Sequence, residues 1–309
     1  MLKRLAAVVV CLLLVSIVIG CAKQEPERIV LNEVTHSVFY APLYAAISLG
    51  YFDEEGLTID LVNGGGADKS MTAILSDQAQ IGLMGPEAAI YVFREGKEDS
   101  AIVFGQLTKR DGSFLVGREP AEDFQWSDLR GKTIIGGRAG GVPEMTLEYV
   151  LRKNGLEPGV DVEVITSVQF NLMGGAFEGG MGDYVTLFEP TASMFEQEGK
   201  GYIMDAVGAE SGEVPYTAFM AKKSYIEKNP DIIRSFLRAI YKAQQWIMSA
   251  SDREVAETIA GFFPDTSVDS LVLVAKSYRE IDAWMDTPVM KEEAFNRLQE
   301  IIIQAGVFD

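Results

Sequence analysis

Histidine and cysteine are almost missing from this chain of 309 residues, and bases are scarce. His36 is the only histidine, which removes histidine-rich metal sites and weakens any serine–histidine–acid relay. The cysteines are Cys11 and Cys21, both in or at the end of an apolar N-terminal stretch. The rest of the chain therefore has no disulfide, no cysteine-based metal cluster and no thiol nucleophile. There are 27 Lys and Arg against 45 Asp and Glu, a formal charge of -18. Such a surface repels nucleic acid and anionic lipid headgroups, so no nucleic-acid partner is expected. Two nucleotide signatures also fail. Gly64-Gly65-Gly66-Ala67-Asp68-Lys69-Ser70 lacks the Gly-Lys-Ser end of a phosphate-binding loop, and Gly136-Gly137-Arg138-Ala139-Gly140-Gly141 has the wrong glycine spacing for a dinucleotide fold. No repeats or low-complexity segments are found.

What is present is sharpest at the N-terminus. Lys3 and Arg4 precede an apolar stretch, residues 5–20, interrupted only by Ser16. That length is marginal for a bilayer span but fits a secretory signal. Val18-Ile19-Gly20-Cys21 resembles the bacterial lipobox. The resemblance implies cleavage before Cys21, a diacylglyceryl thioether on its sulfur and acylation of its new amino group. Residues 1–20 are thus expected as signal peptide and 21–27 as a polar tether, with the protein lipid-anchored on the outer face of the bacterial cytoplasmic membrane.

Beyond residue 27, short apolar strands alternate with helical spacing, the signature of parallel βαβ units and an α/β class. Strands are expected at 28–34, 57–62, 79–83, 101–107, 132–136, 162–165 and 184–187. Helices are expected at 39–49, 68–75, 143–154 and just after Pro86. After residue 187 the remainder reads as helical, with Asn229 and Pro230 opening a long helix and others near 252–262, 267–284 and 291–304.

At this point the residues carry a resemblance. Tyr44-Ala45-Ala46, Gly50-Tyr51-Phe52, Glu55-Gly56-Leu57, Ala79-Gln80-Ile81-Gly82, Asp128-Leu129-Arg130-Gly131-Lys132, Gly182-Asp183, Glu189-Pro190 and Ala243-Gln244-Gln245-Trp246 fall in order along nearly the whole chain. Together they resemble the solute-binding proteins of ABC importers related to sulfonate binders and to thiamine-pyrimidine synthases. The resemblance implies a periplasmic-binding-protein type II fold, two α/β lobes joined by two crossings, with a ligand in the cleft. Lobe one would hold 28–111 plus 217–309 and lobe two 112–216, with crossings near Asp111-Gly112-Ser113 and Val214-Pro215-Tyr216. It also implies an ABC permease and its ATPase as partners. A monomer is expected, with no cofactor, metal or catalytic residue. The synthases carry a Cys-Cys-Cys-Phe-Cys motif that this chain lacks, which sets the enzyme reading behind the importer reading. A sensor or adhesion lipoprotein that kept the fold is a third reading.

Ligands in open α/β sheets bind beyond the carboxyl ends of strands, so the loops at 35–37, 63–68, 84–87, 137–141 and 168–171 are the candidate cleft. Their glycines, Gly65 and Gly140 among them, admit close backbone approach. His36 can hydrogen-bond a ligand or cap a helix. Tyr40, Tyr44, Tyr184, Phe188 and Tyr216 offer rings for stacking or serve as core. Glu87 and Glu189 stand at helix starts, as ligand carboxylates or as caps. Ser37, Ser113, Arg138 and Asn171 complete the candidates. Two ligand classes follow. An anion such as a sulfonate or nitrate would use Ser37, Ser113 and Arg138; a thiamine-related pyrimidine would use the aromatic rings with Glu87 or Glu189, and this reading is preferred.

Overall fold

The computed structural model describes residues 25–307. The expected signal peptide, Cys21 and most of the tether lie outside the described residues. No helix among the described residues is long and apolar enough to cross a membrane.

Each lobe is built on a five-stranded sheet, and the two sheets share one plan. The first sheet contains β1 (Glu27–Glu33), β2 (Leu57–Asn63), β3 (Ile81–Met84), β4 (Ala101–Thr108) and β10 (Thr217–Lys222), in the order β2-β1-β3-β10-β4. The second contains β5 (Ser113–Gly117), β6 (Thr133–Ile135), β7 (Glu163–Ile165), β8 (Tyr184–Phe188) and β9 (Tyr202–Ala206), in the order β7-β6-β8-β5-β9. In both, a parallel trio meets one antiparallel strand that reaches its sheet from a crossing: β10 pairs with β3 and β4, and β5 with β8 and β9. The helices after the parallel strands pack against the sheets.

The two crossings run side by side. The Val214 amide donates to the Lys109 carbonyl at 2.9 Å and the Tyr216 amide to the Thr108 carbonyl at 3.2 Å. The Thr108 and Thr217 hydroxyls meet at 2.5 Å where the crossings enter the first sheet. Gly112 is where one crossing passes Phe39; a Cβ there would stand 2.6 Å from the Phe39 ring, so only glycine fits.

Three expectations are corrected. The chain after residue 187 is not all helical, because β9 and β10 lie there. Their sequences, YIMDA and TAFMAK, contain helix-compatible Ala and Met, and β10 becomes a strand by insertion between β3 and β4. The helix expected at 39–49 is a 3-10 turn, Val38–Tyr40, followed by the helix Ala41–Ser48, with Pro42 in its first turn. The helix expected over 267–284 ends at Glu280, because Asp282 turns with φ 55° and Trp284 bridges to Thr108. The long helix Pro230–Ser249 forms as expected and buries Ile233, Phe236, Ile240 and Ile247; Tyr241 stays 47% exposed.

Candidate functional site

The interlobe seam is built from the loops that follow the parallel strands of both sheets. On one side it opens as a cleft of about 350 Å³. His36, Ser37 and Phe263 line it from the first lobe, and Phe170, Asn171 and Phe188 from the second. Phe188 ends β8 and packs 5.3 Å from Phe170, 5.7 Å from Phe39 and 6.3 Å from Tyr216, centroid to centroid. Phe39 meets Tyr216 edge-on at 5.7 Å, so an aromatic wall runs from the cleft inward.

His36 follows β1 and is fully engaged. Its Nδ1 lies 2.7 Å from Glu33 Oε1, its Nε2 lies 2.9 Å from the Phe262 carbonyl, and its ring stacks on Phe263 at 4.7 Å. Both partners are acceptors, so both ring nitrogens must donate and the imidazolium is the form that fits. The hydrogen bond to Glu33 is the main cause of a raised His36 pKa. His36 ties the first strand to the C-terminal helices, which is not the helix-capping role, and it lines the cleft. Ser37 caps the turn that follows, accepting from the Phe39 amide at 3.2 Å.

Glu189 is buried and its carboxylate is committed. It accepts from the Ser193 amide at 3.0 Å and hydroxyl at 2.6 Å, opening the helix Thr191–Gln197. Its own amide donates to the Tyr278 hydroxyl at 3.1 Å, a contact from a C-terminal helix to the second lobe. Of the two roles expected for Glu189, capping is the one this geometry serves.

The far rim of the seam is closed by contacts between lobes. Arg138 Nη1 donates to Asp68 Oδ1 at 2.8 Å, and the Tyr91 hydroxyl donates to the Gly140 carbonyl at 2.8 Å. Gly65 lies in the loop that carries Asp68, exposed, with φ 69°. Glu87 opens the helix Glu87–Arg94, and the backbone amides of its own helix start and of Val142 in the opposite lobe oppose the rise that burial gives its carboxyl pKa. That carboxyl folds over Gly85, where a Cβ would fall 2.0 Å from Oε2.

Between cleft and rim lies a buried polar nest. Asp111 Oδ1 accepts from the Ser113 amide at 2.7 Å and hydroxyl at 2.6 Å. Asp111 Oδ2, Tyr216 Oη and Glu87 Oε2 have no hydrogen-bond partner. The Tyr216 hydroxyl and the Asp111 carboxylate nonetheless act on each other's ionisation as side-chain hydrogen-bond partners, in a loose geometry. Burial pushes the Glu87 and Asp111 carboxyls up to about 7. Burial, then Asp111, raises the Tyr216 phenol well above its usual value, with Tyr40 and Glu87 adding to it. Tyr40, 3% exposed, is raised by burial first, then by Glu33 and Glu87.

The structure thus gathers His36, Ser37, Asn171, Phe188 and Glu189 at the cleft, Tyr40, Glu87, Ser113 and Tyr216 in the interior, and Gly65, Arg138 and Gly140 at the rim. Two rings expected to stack do not reach these places. Tyr44 is wholly buried, donates to Glu33 Oε2 at 2.6 Å and packs on Phe262 at 4.7 Å, so it is core. Tyr184 begins β8 and packs against Phe124; four residues of strand, about 13 Å, separate it from Phe188 at the cleft end. Sequence reasoning missed Phe39, Asp111, Phe263 and Tyr278. Asp111, beside an expected crossing, was within its reach; Phe263 and Tyr278 arrive from the C-terminal helices and left no local signal.

Two sheets of one strand order, joined by paired crossings and facing each other across an aromatic seam, define a bilobal solute-binding fold. The chain belongs to the NMT1/THI5-like family, whose pattern it matches over residues 38–253. It is 45% identical to the binding protein YtlA of Bacillus subtilis over 288 residues, covering 93% of this chain and 86% of that one. Its fold is similar to the periplasmic aliphatic sulphonate binding protein SsuA of Escherichia coli, with TM-score 0.71, 17% identity and 90% and 91% of the two chains covered. It is likewise similar to the periplasmic nitrate-binding protein NrtA of Synechocystis, with TM-score 0.65, 17% identity and 82% and 70% coverage.

Proposed function

We propose that this protein is the extracytoplasmic, lipid-anchored solute-binding component of an ABC importer, taking a planar, thiamine-related heterocycle into the interlobe seam. Residues 28–111 plus 217–309 act as one lobe and 112–216 as the other; they close on the ligand and present the closed form to a permease and its ATPase. The observation that carries the reading is the aromatic lining of the interlobe cleft: Phe170, Phe188 and Phe263 face it, and Phe39 and Tyr216 pack behind Phe188. The sulfonate and nitrate relatives raise the anion reading, but of its expected donors Ser37 alone keeps a hydroxyl proton toward the cleft. Arg138 is paired with Asp68, and Ser113 gives both amide and hydroxyl to Asp111.

A thermal-shift panel tests this: thiamine, its pyrimidine fragments, alkanesulfonates, taurine and nitrate. A pyrimidine at 100 times its dissociation constant stabilises the fold by about 2.7 kcal/mol, a rise of a few degrees, and Phe188→Ala reduces it. A shift with sulfonates alone, abolished by Arg138→Ala, would put the anion reading in its place. The lipid anchor is tested separately: Cys21→Ser should abolish fatty-acid labelling and membrane partitioning.

A further inference from the structure

We propose that His36 is the residue that positions the first-lobe wall of the cleft. As an imidazolium donating from both ring nitrogens, it latches the turn that carries Phe262 and Phe263 to the end of β1, and loss of its proton releases that wall. For its effect on affinity the inference rests on the reading of the cleft as the ligand site.

The turn has few ties of its own. Residues 260–266 join the helices Asp252–Ile259 and Val268–Glu280, with Gly261, Pro264 and Asp265 exposed. Inside the turn the Phe263 amide donates to the Ala260 carbonyl and the Thr266 amide to the Phe263 carbonyl, both at 3.0 Å. Among the described residues, the one hydrogen bond that reaches the turn from a distant part of the chain runs from His36 Nε2 to the Phe262 carbonyl at 2.9 Å. The rings follow the same path. Phe263 stacks on His36 and Phe262 on Tyr44, each at 4.7 Å between centroids. His36 and Phe263 both line the cleft, so whatever fixes the turn fixes that wall.

His36 is held from behind. Glu33 is 1% exposed; its Oε1 lies 2.7 Å from His36 Nδ1 and its Oε2 accepts from the Tyr44 hydroxyl at 2.6 Å. The Tyr44 oxygen also accepts from the Ser37 amide at 3.2 Å and stands 3.2 Å from Nδ1, its proton spent on Glu33. A neutral imidazole has one N–H and one lone pair. That lone pair would face either the Glu33 carboxylate or the Phe262 carbonyl, and one of the two bonds is lost. The charge of the ring and the hold on the turn are therefore one variable.

Few charged groups surround the ring. Glu33 faces it from β1, with the phenols of Tyr44 and Tyr40 beside that carboxylate. The turn brings the Phe262 carbonyl. Across the cleft Glu178 is paired with Lys200 at 3.1 Å, and Glu189 is bonded to Ser193. The bond to Glu33 raises the His36 pKa against burial, and the Phe262 carbonyl adds to the rise. A group raised in the fold stabilises it fully below its ordinary value, here 6.5, and loses that contribution as pH climbs through the folded value. The latch is thus closed in mild acid and opens on the alkaline side.

Because His36 is the only histidine, the full chain without a histidine tag gives one imidazole in a nitrogen-15 NMR titration. Both ring nitrogens are expected to carry protons at pH 6.5, with a midpoint above that pH. Hydrogen–deuterium exchange of residues 260–266, corrected for intrinsic rates, is expected to step up with the same titration, by up to about tenfold for each pH unit by which the midpoint exceeds 6.5. Glu33→Gln, checked for native circular dichroism, is expected to move midpoint and step to lower pH together. His36→Gln, whose side-chain amide can still donate to the Phe262 carbonyl, is expected to remove the step. Thiamine affinity by calorimetry is expected to fall across the step in the parent and to stay flat in His36→Gln. A ring with a single proton at pH 6.5, or exchange with no step in the parent, overturns the latch. Thiamine bound equally on both sides of the step overturns the positioning role. If thiamine and its fragments do not bind at all, the reading of the ligand fails, and the imidazole titration and the exchange step decide the latch by themselves.

Discussion

At the rim of the seam Arg138 and Asp68 meet at 2.8 Å with 58% and 61% of their side chains in solvent; a few residues inward, Glu87, Asp111 and Tyr216 are nearly dry and keep unpaired oxygens. Both places join or face two lobes of the same strand order. The rim pair satisfies itself and gains little, because water screens it and two long side chains must be ordered. The interior is unsatisfied and sits among rings, so its energy changes with whatever occupies it. A contact that holds lobes together and an unsatisfied interior are thereby distinguished by burial and partner count, although both lie at strand-end loops.

Substitutions sharpen this contrast. The largest effect is expected from Phe39→Ala. Phe39 is 1% exposed and touches Phe188, Tyr216 and Tyr278, rings from the second lobe, a crossing and a C-terminal helix. Its loss should cost about 3–5 kcal/mol in denaturant unfolding. A cost under about 1 kcal/mol would show that the aromatic wall does not bind the lobes.

Next comes Glu87→Gln, through pH. In the folded protein Glu87 titrates at about 7 against a usual 4.5, and Asp111 at about 7 against 3.8. Between those values the folded state holds more protons than the unfolded chain, so stability falls as pH rises from about 4 to about 7 and then levels off. The Glu87 carboxyl accounts for about 3 kcal/mol of that fall and the Asp111 carboxyl for about 4 kcal/mol. Glu87→Gln should flatten its share, leaving the variant more stable than the parent above pH 7. A parent whose stability instead climbs from pH 4.5 to 7 would contradict the buried, uncompensated carboxyls.

Smaller again is Tyr91→Phe, which removes the hydrogen bond to the Gly140 carbonyl and should cost about 1 kcal/mol. Smallest is Arg138→Ala, below about 1 kcal/mol and diminishing with salt. An Arg138→Ala effect larger than that of Phe39→Ala would invert the ranking of rim and interior.

Much of this architecture could be read from the residues in order. The alternation of short apolar strands with helical spacing gave α/β units, and the loops at 35–37, 63–68, 84–87, 137–141 and 168–171 each contribute to the seam. Glycine and proline punctuation marks such loops locally, which is why they were legible. The strand identity of 217–222 was not, since its neighbours β3 and β4 lie more than a hundred residues away and supply the pairing that overrides propensity. The same reason hid Tyr278, which reaches Glu189 across 89 residues of chain. Side-chain roles were least legible: Glu87 and Glu189 both stand at helix starts after a strand, yet Glu189 caps its helix by accepting from Ser193 and Glu87 keeps a free oxygen.

The central claim is that the seam holds a small planar nitrogen heterocycle, and ligand identification tests it most directly. Protein purified from its native membrane and gently denatured would be analysed by mass spectrometry for released small molecules. A nitrogen heterocycle with at least one cationic or donor-rich nitrogen, released in near-stoichiometric amount from the parent and lost from Phe188→Ala, is the predicted result. A stoichiometric sulfonate or other small anion, released equally from both, would contradict it.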